Sequence, residues 1–327
     1  MDNLIMNSAV CTLFEGGYHF GVAALTNSLY KHGFRGEMYA GYKGKLPKWA
    51  DSAADNLEIG DGNIKTLRLA GGLTLHFVPL QTNYHLTNYK PDFMLELLDG
   101  PAKGVNTIFY ADPDIVLNAP WAFIEEWVTC GVALCEDLNS PLPNFHPRRI
   151  AWRRKLKEYN IELKFKEQQY VNGGFIGVNS ENISFLEQWK SIQEKMASFI
   201  GGLNKSSLKG QSLSVENSGP FAPFSKTDQD ALNCTVEATN LICSIIGKEA
   251  MGFIAGTPCL PHALGTPKPW KWNFFASVIN GNAPSISVKK YWENSNYPII
   301  SYPTLYLKVK KLQLNISSFL ARFYSKN

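Results

Sequence analysis

The chain lacks the features of secreted and membrane-spanning proteins. Its six cysteines form no C-x-x-C pair and have no dense spacing, which excludes a disulfide framework and favours reduced, packed thiols. No uninterrupted apolar run approaches the roughly 18 residues of a membrane span. The first seven residues have no basic region, and their apolar run is too short for a secretory signal. We therefore expect a cytoplasmic protein.

Strong charge and a dinucleotide fingerprint are also missing. The formal net charge of +4 and the pI near 8.6 are mild, so they are compatible with anionic ligands or surfaces without requiring nucleic acid, and we predict no nucleic-acid partner. The glycines at positions 16, 17 and 21 do not fit G-x-G-x-x-G, so the first turn gives no support to dinucleotide binding.

What is present predicts an α/β protein. The 327 residues are 45% hydrophobic and 13% aromatic, which is typical of a globular chain with a sizeable core. Strand-like and helix-like segments alternate, and this order predicts a mostly parallel sheet with helices on both faces. Predicted strands cover residues 8–14, 38–42, 73–79, 107–111, 132–135 and 170–178, and predicted helices cover 22–31, 93–98, 121–128 and 185–200.

Two carboxylates stand one residue apart at the end of an apolar strand, in the run Asp112-Pro113-Asp114. Side chains alternate faces in an extended segment, so both would point the same way. Two like charges that close repel each other unless a proton or a cation neutralises them. The pair therefore indicates either a cation site or an ordinary turn after a buried strand. In a parallel sheet, ligands lie outside the carboxyl ends of the strands, where this pair is expected.

A second group of candidate residues lies near position 265. His262 is an imidazole ligand candidate, Gly265 follows it, and Lys268 stands between two prolines. A metal that bridges a pyrophosphate needs a few fixed protein ligands and usually a cation nearby. Taken alone, a histidine such as His262 is more often structural than a metal ligand, and a lysine such as Lys268 is more often a solvated surface charge.

Four motifs in order resemble glycosyltransferase family 8, which includes glycogenin and bacterial lipopolysaccharide galactosyl- and glucosyltransferases. They are D-x-D at 112–114, N-G-G at 172–174, D-Q-D at 228–230 and H-x-x-G-x-x-K-P-W at 262–270. The resemblance runs from about residue 8 to residue 270. It implies a GT-A fold, with a single Rossmann-like central sheet, and a retaining hexosyltransferase that uses a nucleotide sugar, usually a UDP-sugar, with manganese.

The resemblance assigns the metal and the diphosphate. Asp112, Asp114 and His262 would hold the metal against the donor diphosphate, while Gly265 and Lys268 would contact the phosphates. Oxygen ligands with one imidazole suit Mn²⁺ somewhat better than Mg²⁺, and both ions stay open. Lys268 would also offset negative charge on the departing nucleotide.

The resemblance also assigns the nucleoside. Thr12 and Tyr18 match the family's nucleoside-binding turn after the first strand, where an aromatic ring can stack on a base. An ordinary turn aromatic is the alternative for Tyr18. The family places a basic residue upstream of D-x-D near the donor, and Lys90 is the candidate here.

The sugar side follows from the two remaining motifs. Asn172 and Gly173 would line the donor sugar and the acceptor side, although two glycines in a strand also fit a bulge. Asp228 would bind sugar hydroxyls or cap the following helix. Gln229 occupies the position beneath the anomeric carbon, and because an amide is a poor nucleophile, we expect front-face attack guided by the leaving diphosphate. Glu136 and Asp137 would contact sugar or acceptor, or lie in a solvated loop.

The last part of the sequence is basic and amphipathic. No acidic residue follows Glu293, and apolar residues recur at helical spacing at 305, 309, 312, 316, 319, 320 and 323. Such a helix can lie in an anionic membrane interface or pack its stripe on the domain. Another basic run, at 148–157, is either a solvated helix face or a site for a lipid-linked or phosphorylated acceptor. The sequence predicts a catalytic domain at 1–280 and a C-terminal helical extension at 281–327.

These observations favour a metal-dependent glycosyltransferase of bacterial surface polysaccharide assembly, active on a glycan or lipid-linked acceptor and associated with the inner face of the cytoplasmic membrane. A sugar-nucleotide nucleotidyltransferase is the main alternative, but it usually has a Gly-rich, basic loop after the first strand, and residues 15–20 contain no lysine or arginine. A non-enzymatic carbohydrate-binding protein is the other alternative.

Overall fold

The structure of the protein is a computed structural model that describes residues 7–57, 59, 62–207, 213, 219 and 221–324. Its strands are β1 Ser8–Glu15, β2 Glu37–Lys43, β3 Ala54–Asp55, β4 Lys65–Arg68, β5 Thr74–Pro79, β6 Thr107–Ala111, β7 Val132–Glu136, β8 Val171–Asn179 and β9 Cys243–Ile246. Its α-helices are α1 His19–Lys31, α2 Lys90–Asp99, α3 Trp121–Val128, α4 Pro147–Lys157, α5 Ser184–Ile200, α6 Thr227–Ala238, α7 Phe274–Ile279, α8 Ile286–Glu293 and α9 Thr304–Leu320.

The strands form one sheet of nine strands in the order β3-β4-β5-β2-β1-β6-β8-β7-β9. Every strand except β4 and β8 runs in the same direction, which confirms a mostly parallel central sheet. The β1 and β6 strands are parallel neighbours, so their carboxyl ends share one edge. Because β8 is antiparallel to β6, its first residues lie at that same edge.

Helices cover both faces of the sheet, as predicted. Helices α2, α4, α5 and α6 bury Phe93, Trp152, Trp189 and Leu232 against one face. Helices α1 and α3 bury their apolar sides against the other face. Apolar residues on both faces explain why β1, β6 and β8 are buried along almost their whole length, as expected of central strands.

The C-terminal extension packs on the rest of the chain through a third apolar cluster. Val288 on α8 and Leu307 and Leu314 on α9 share this cluster with Ala24 on α1 and Trp272. No described helix combines the length and the apolar character needed to cross a bilayer. Residues 1–6, the part of the chain in which the sequence predicts no secretory signal, lie outside the described residues. The Gly- and Ser-rich segment 201–225 is long enough in sequence to be a lid or a disordered loop, and its residues 208–212, 214–218 and 220 also lie outside the described residues.

Candidate metal centre

The two carboxylates of the D-x-D run converge through a turn. The β6 strand ends at Ala111, and the amide of Ile115 donates to the carbonyl of Asp112 at 3.0 Å. The expectation of an extended segment through Asp114 is therefore wrong, because this hydrogen bond closes the chain into a turn. The turn is held against β8, since the amide of Asp112 donates to the carbonyl of Gly174 at 2.7 Å.

His262 lies next to this turn. It forms an isolated antiparallel bridge with Ile115, and the amide of Ala263 donates to the carbonyl of Asp114 at 3.0 Å. Its Nε2 atom is 3.2 Å from Oδ1 of Asp114 and 4.0 Å from Oδ2 of Asp112. One ligand atom from each of the three residues lies within 4.8 Å of the others. The arrangement is that of a three-residue cation site.

Two glycines make room for this site. A Cβ atom on Gly174 would stand 2.6 Å from Cε1 of His262 and 3.0 Å from Oδ2 of Asp112, so any side chain there would displace both residues. A Cβ atom on Gly21 would stand 2.1 Å from the carbonyl oxygen of Pro113, so α1 approaches the turn at a distance that only glycine allows. The second glycine of N-G-G is thus explained by close approach, and the pairing of β7 with β8 also shifts register opposite it.

Lys268 lies on the other side of Asp114. Its ammonium group forms an ion pair with Oδ2 of Asp114 and donates to the carbonyl of Ala263 at 2.9 Å. Burial alone would raise the pKa of Asp114, but His262 and Lys268 outweigh burial and hold the pKa of this carboxyl well below its usual range. Asp114 is therefore ionised at neutral pH and is ready to bind a cation. Gly265 has a left-handed φ of 73° and open space beside it.

Lys90 joins this centre to the D-Q-D motif. It is 2% exposed, and its Nζ atom lies 3.2 Å from Oδ1 of Asp112 and 3.0 Å from Oδ2 of Asp228. Burial alone would lower the pKa of Lys90, but the two carboxylates raise it above its ordinary value. Burial raises the pKa of Asp228, an effect that Lys90 only partly offsets. The structure thus places Lys90 between the D-x-D turn and the D-Q-D motif.

The remaining predicted residues occupy different depths. The Asn172 side chain is buried and bonded to protein groups, with Nδ2 donating to Oδ2 of Asp137 at 2.6 Å. A Cβ atom on Gly173 would stand 3.1 Å from Oδ2 of Asp228, so this glycine lies beside the Lys90–Asp228 pair. Glu136 instead accepts a hydrogen bond from the hydroxyl of Ser140. Because Asp137 is buried and accepts the hydrogen bond from Asn172, it supports the site from behind and does not lie in a solvated loop.

The turn after β1 presents an aromatic ring beside Lys268. Tyr18 is 36% exposed, its ring meets the ring of Trp270 edge-on at 5.2 Å, and Nζ of Lys268 lies 5.9 Å from its centroid. Thr12 is fully buried, and its Oγ1 atom has no hydrogen-bond partner. Of the two predicted nucleoside residues, Tyr18 thus lies near Lys268, whereas Thr12 is buried in β1.

Asp228 does not cap α6. The N-cap position is Lys226, and the carboxylate of Asp230 accepts from the Lys226 amide at 2.8 Å. Asp230 therefore holds the N-terminus of α6 through the Lys226 amide. Asp228 is left with Lys90 as its ionic partner, in the first turn of α6, where a negative charge is favourable.

Sequence reasoning missed Tyr110. Its hydroxyl donates to Oδ1 of Asp112 at 2.8 Å, and Nζ of Lys90 lies 5.2 Å from its ring. Residues two apart in a strand share a face, so the position of Tyr110 relative to Asp112 was a signal that could have identified it. The contact fixes the orientation of the Asp112 carboxylate.

Three of the six basic residues at 148–157 have a structural role, whereas Arg154 and Lys157 are exposed as on a solvated helix face. Arg149 and Arg153 both form ion pairs with Glu237, which is 2% exposed, and Arg149 is also 2% exposed. Arg148 lies 3.7 Å from Asp230. Arg149 and Arg153 therefore belong neither to a solvated face nor to an open acceptor site, because their ion pairs with Glu237 connect α4 to α6.

No protein-family model matches this chain, and no curated protein is similar to it in sequence. Similar solved structures include the apo form of the bifunctional glycosyltransferase WbbM, with 12% identity, a TM-score of 0.48, and coverage of 95% of this chain and 52% of that one. Another is the galactosyltransferase LgtC in complex with donor and acceptor sugar analogues, with 13% identity, a TM-score of 0.49, and coverage of 91% and 98%. The chain spans about half the length of the WbbM chain.

Proposed function

We propose that this protein is a metal-dependent, retaining glycosyltransferase with a GT-A fold, which transfers a hexose from a nucleotide sugar, most simply a UDP-sugar, to a glycan or lipid-linked acceptor. The observation that carries the proposal is the convergence of Asp112, Asp114 and His262 beside two lysines at one edge of the sheet. Two carboxylates and an imidazole suit a divalent cation, and nearby ammonium groups suit a diphosphate.

The ligand atoms of these three residues fit a divalent metal ion. The three ligand groups converge, and Gly174 leaves space beside two of them. Bound there, Mn²⁺ or Mg²⁺ would neutralise charge on the donor diphosphate. Lys268 would exchange its ion pair with Asp114 for a contact with phosphate oxygens, and so would stabilise the departing nucleotide.

The other residues would bind different parts of the donor. Tyr18 would stack on the base, Thr12 would bind near it, and Asp228 beside Gly173 would hold sugar hydroxyls. Gln229 would meet the sugar near its anomeric carbon. Retention then follows from attack on the face that the diphosphate leaves. A nucleotidyltransferase is disfavoured because the turn after β1 carries no basic residue.

Ligand-dependent stabilisation tests this function. A UDP-sugar at about 100 times its Kd should add about 2.7 kcal/mol to the free energy of unfolding, or about 5 °C to the melting temperature, with Mn²⁺ present. The measurement is a thermal-shift screen of UDP-, GDP- and CDP-sugars with and without Mn²⁺, followed by detection of the transferred sugar. The absence of any shift or transfer under all these conditions would contradict the proposal.

We also infer a peripheral contact with an anionic membrane, which would place the enzyme at the inner face of the cytoplasmic membrane in bacterial surface-glycan assembly. Leu305, Leu312 and Phe319 on α9 are 73%, 60% and 55% exposed, whereas Leu307 and Leu314 on the opposite side are packed. The alternative, that the predicted stripe packs on the domain, is therefore wrong for these three residues. Basic side chains at 308, 311 and 322 are exposed near the stripe and suit anionic headgroups.

Substitution of the exposed stripe should weaken vesicle binding. Each large apolar side chain that enters the interface contributes up to about 1.5–3 kcal/mol, so Leu312→Ser with Phe319→Ser should lower binding to anionic vesicles at least about tenfold. Co-sedimentation at low and high salt measures this. Deleting residues 305–327 should also lower it, but that deletion removes the packed Leu307 and Leu314 as well.

The matched control is Asn315→Ser, which introduces the same side chain at an exposed polar position of the same helix. It should leave vesicle binding unchanged, and the double variant should keep full activity on a soluble acceptor. Unchanged co-sedimentation of the double variant would rule out the membrane contact and leave the transferase proposal standing.

A further inference from the structure

The amide of Gln229 has a defined orientation. Its Oε1 atom accepts from the backbone amide of Gly173 at 3.1 Å and faces Nδ2 of Asn172 at 3.4 Å. A backbone N–H group can only donate, so the atom that faces it must be the carbonyl oxygen. The assignment of oxygen and nitrogen in this side chain therefore follows from its partners.

A buried carboxylate fixes this orientation from behind. Oδ2 of Asp137 accepts from Nδ2 of Asn172 at 2.6 Å, and Oδ1 of Asn172 accepts from the amide of Gly174 at 2.8 Å. A backbone N–H group can only donate, so Oδ1 of Asn172 must face Gly174 and its NH₂ group must face Asp137. The second hydrogen of that NH₂ group then faces Gln229. The NH₂ group of Asn172 therefore donates to Asp137 on one side and faces the carbonyl oxygen of Gln229 on the other.

The NH₂ group of Gln229 is left available. Among the described residues, Nε2 of Gln229 donates to no protein acceptor, and it is not one of the buried polar atoms that lack a partner. The side chain as a whole is half-buried. Its two N–H groups are therefore free to donate to a ligand, and Gln229 lies beside Gly173, as does the carboxylate of Asp228.

We propose that Gln229 acts on the donor sugar as a hydrogen-bond donor, with its NH₂ group directed at an oxygen of the hexose, and that Asp137 is a positioning residue that acts through Asn172. This inference rests on the proposed transferase function. Its consequence is that the carbonyl oxygen of Gln229, already bonded to Gly173, does not attack the anomeric carbon.

The substitution Gln229→Glu tests the direction of this hydrogen bond. The new carboxylate keeps one oxygen for the Gly173 amide and replaces the NH₂ group with a second acceptor. Loss of one preorganised donor typically lowers kcat by about 10²–10³-fold, and we expect a loss of this size at about pH 8. The probes are UDP-glucose and UDP-galactose with Mn²⁺.

Lower pH should restore part of the activity. A protonated carboxyl can donate again, and we expect partial burial and the nearby Asp228 to raise the pKa of the new group above the usual value of about 4.3, with Lys90 acting in the opposite direction. The ratio of variant to wild-type activity should therefore rise at least about tenfold from pH 8 to pH 5.5. A carbonyl or nucleophilic role predicts the opposite, with activity retained at pH 8 and lost on protonation, and that result would overturn the inference.

Two further variants complete the test. Gln168→Glu makes the same change at an exposed position, and its ratio of variant to wild-type activity should not change with pH. Asp137→Asn should lower kcat about tenfold. Adding Gln229→Glu to the Asp137→Asn variant should then lower kcat by a smaller factor than adding it to the wild type. If the double variant loses kcat by the product of the two single losses, Asp137 does not act through Gln229, and the positioning role is ruled out.

Binding separates the two proposals. Calorimetry should show that Gln229→Glu still binds the UDP-sugar when Mn²⁺ is present. If the wild-type protein binds neither sugar nucleotide and transfers no sugar, the transferase function fails. If binding and wild-type transfer are intact but the activity ratio does not rise at low pH, only the role of Gln229 fails.

Discussion

Asp114→Asn is expected to abolish metal-dependent sugar transfer, with a loss of at least about 10³-fold, while the protein stays folded. A catalytic cation stabilises transition-state charge by several kcal/mol, and each 1.4 kcal/mol is a factor of ten in rate. Asp114 is only 8% exposed, yet its carboxylate meets His262 and Lys268 and belongs to none of the three apolar clusters. The loss should therefore appear in activity much more than in packing.

Asp114→Ala should behave in the same way, with a slightly larger loss of stability. The measurement is transfer rate against Mn²⁺ concentration, with circular dichroism and melting temperature as the test of folding. Asp99→Asn, the same change at an exposed helix end, should leave both unchanged. Full activity of Asp114→Ala in the presence of a chelator would refute the metal assignment.

Lys90→Met should lower the free energy of unfolding by about 3–5 kcal/mol when no metal is present, because it leaves buried carboxylates without a cation. Lys90 is 2% exposed and lies between Asp112 and Asp228, and it also donates to the carbonyl of Gly173 at 2.7 Å. Mn²⁺ should restore part of this stability, because an ion on Asp112 replaces some of the missing positive charge. Denaturant unfolding in chelator and in Mn²⁺ measures both effects.

Lys190 provides a matched lysine for this test. Its Nζ atom lies 2.9 Å from Asp92, but its side chain is 40% exposed, so Lys190→Met should cost less than about 1 kcal/mol and should not respond to Mn²⁺. Equal losses in the two variants would mean that burial of Lys90 between two carboxylates has no special importance. Lys90→Arg keeps the charge and should retain more stability than Lys90→Met.

The sequence predicted six of the nine strands and a mostly parallel sheet because these strands are short and apolar and the helices between them have apolar faces. It did not predict β3, β4 and β9, none of which has a buried residue. It also predicted the edge at which the site lies, since parallel strands bring their carboxyl ends together. The turn at Asp112 was missed because its decisive hydrogen bonds go to Ile115 and to Gly174, and local alternation of faces does not reveal either partner.

Long-range partners account for the rest of what the sequence did not show. Lys90 and Asp228 are 138 positions apart and meet only because α2 and α6 cover the same face of the sheet. The sequence likewise does not show that Arg149 and Arg153 both pair with Glu237, a residue more than 80 positions further along the chain. Periodicity identified the apolar stripe of α9, but whether another element covers it depends on tertiary packing.

Asn27 connects α1 to the C-terminal extension, which limits how far the chain can be shortened. Its Nδ2 atom donates to the carbonyls of Asn294 and Ile299, each at 2.9 Å, and its Oδ1 atom accepts from the amide of Ile299 at 2.7 Å. The residue lies on α1, the helix whose Gly21 approaches the D-x-D turn. A chain shortened to residues 1–280 would leave this buried amide without its partners, so an active minimal enzyme should retain at least the segment through Ile299.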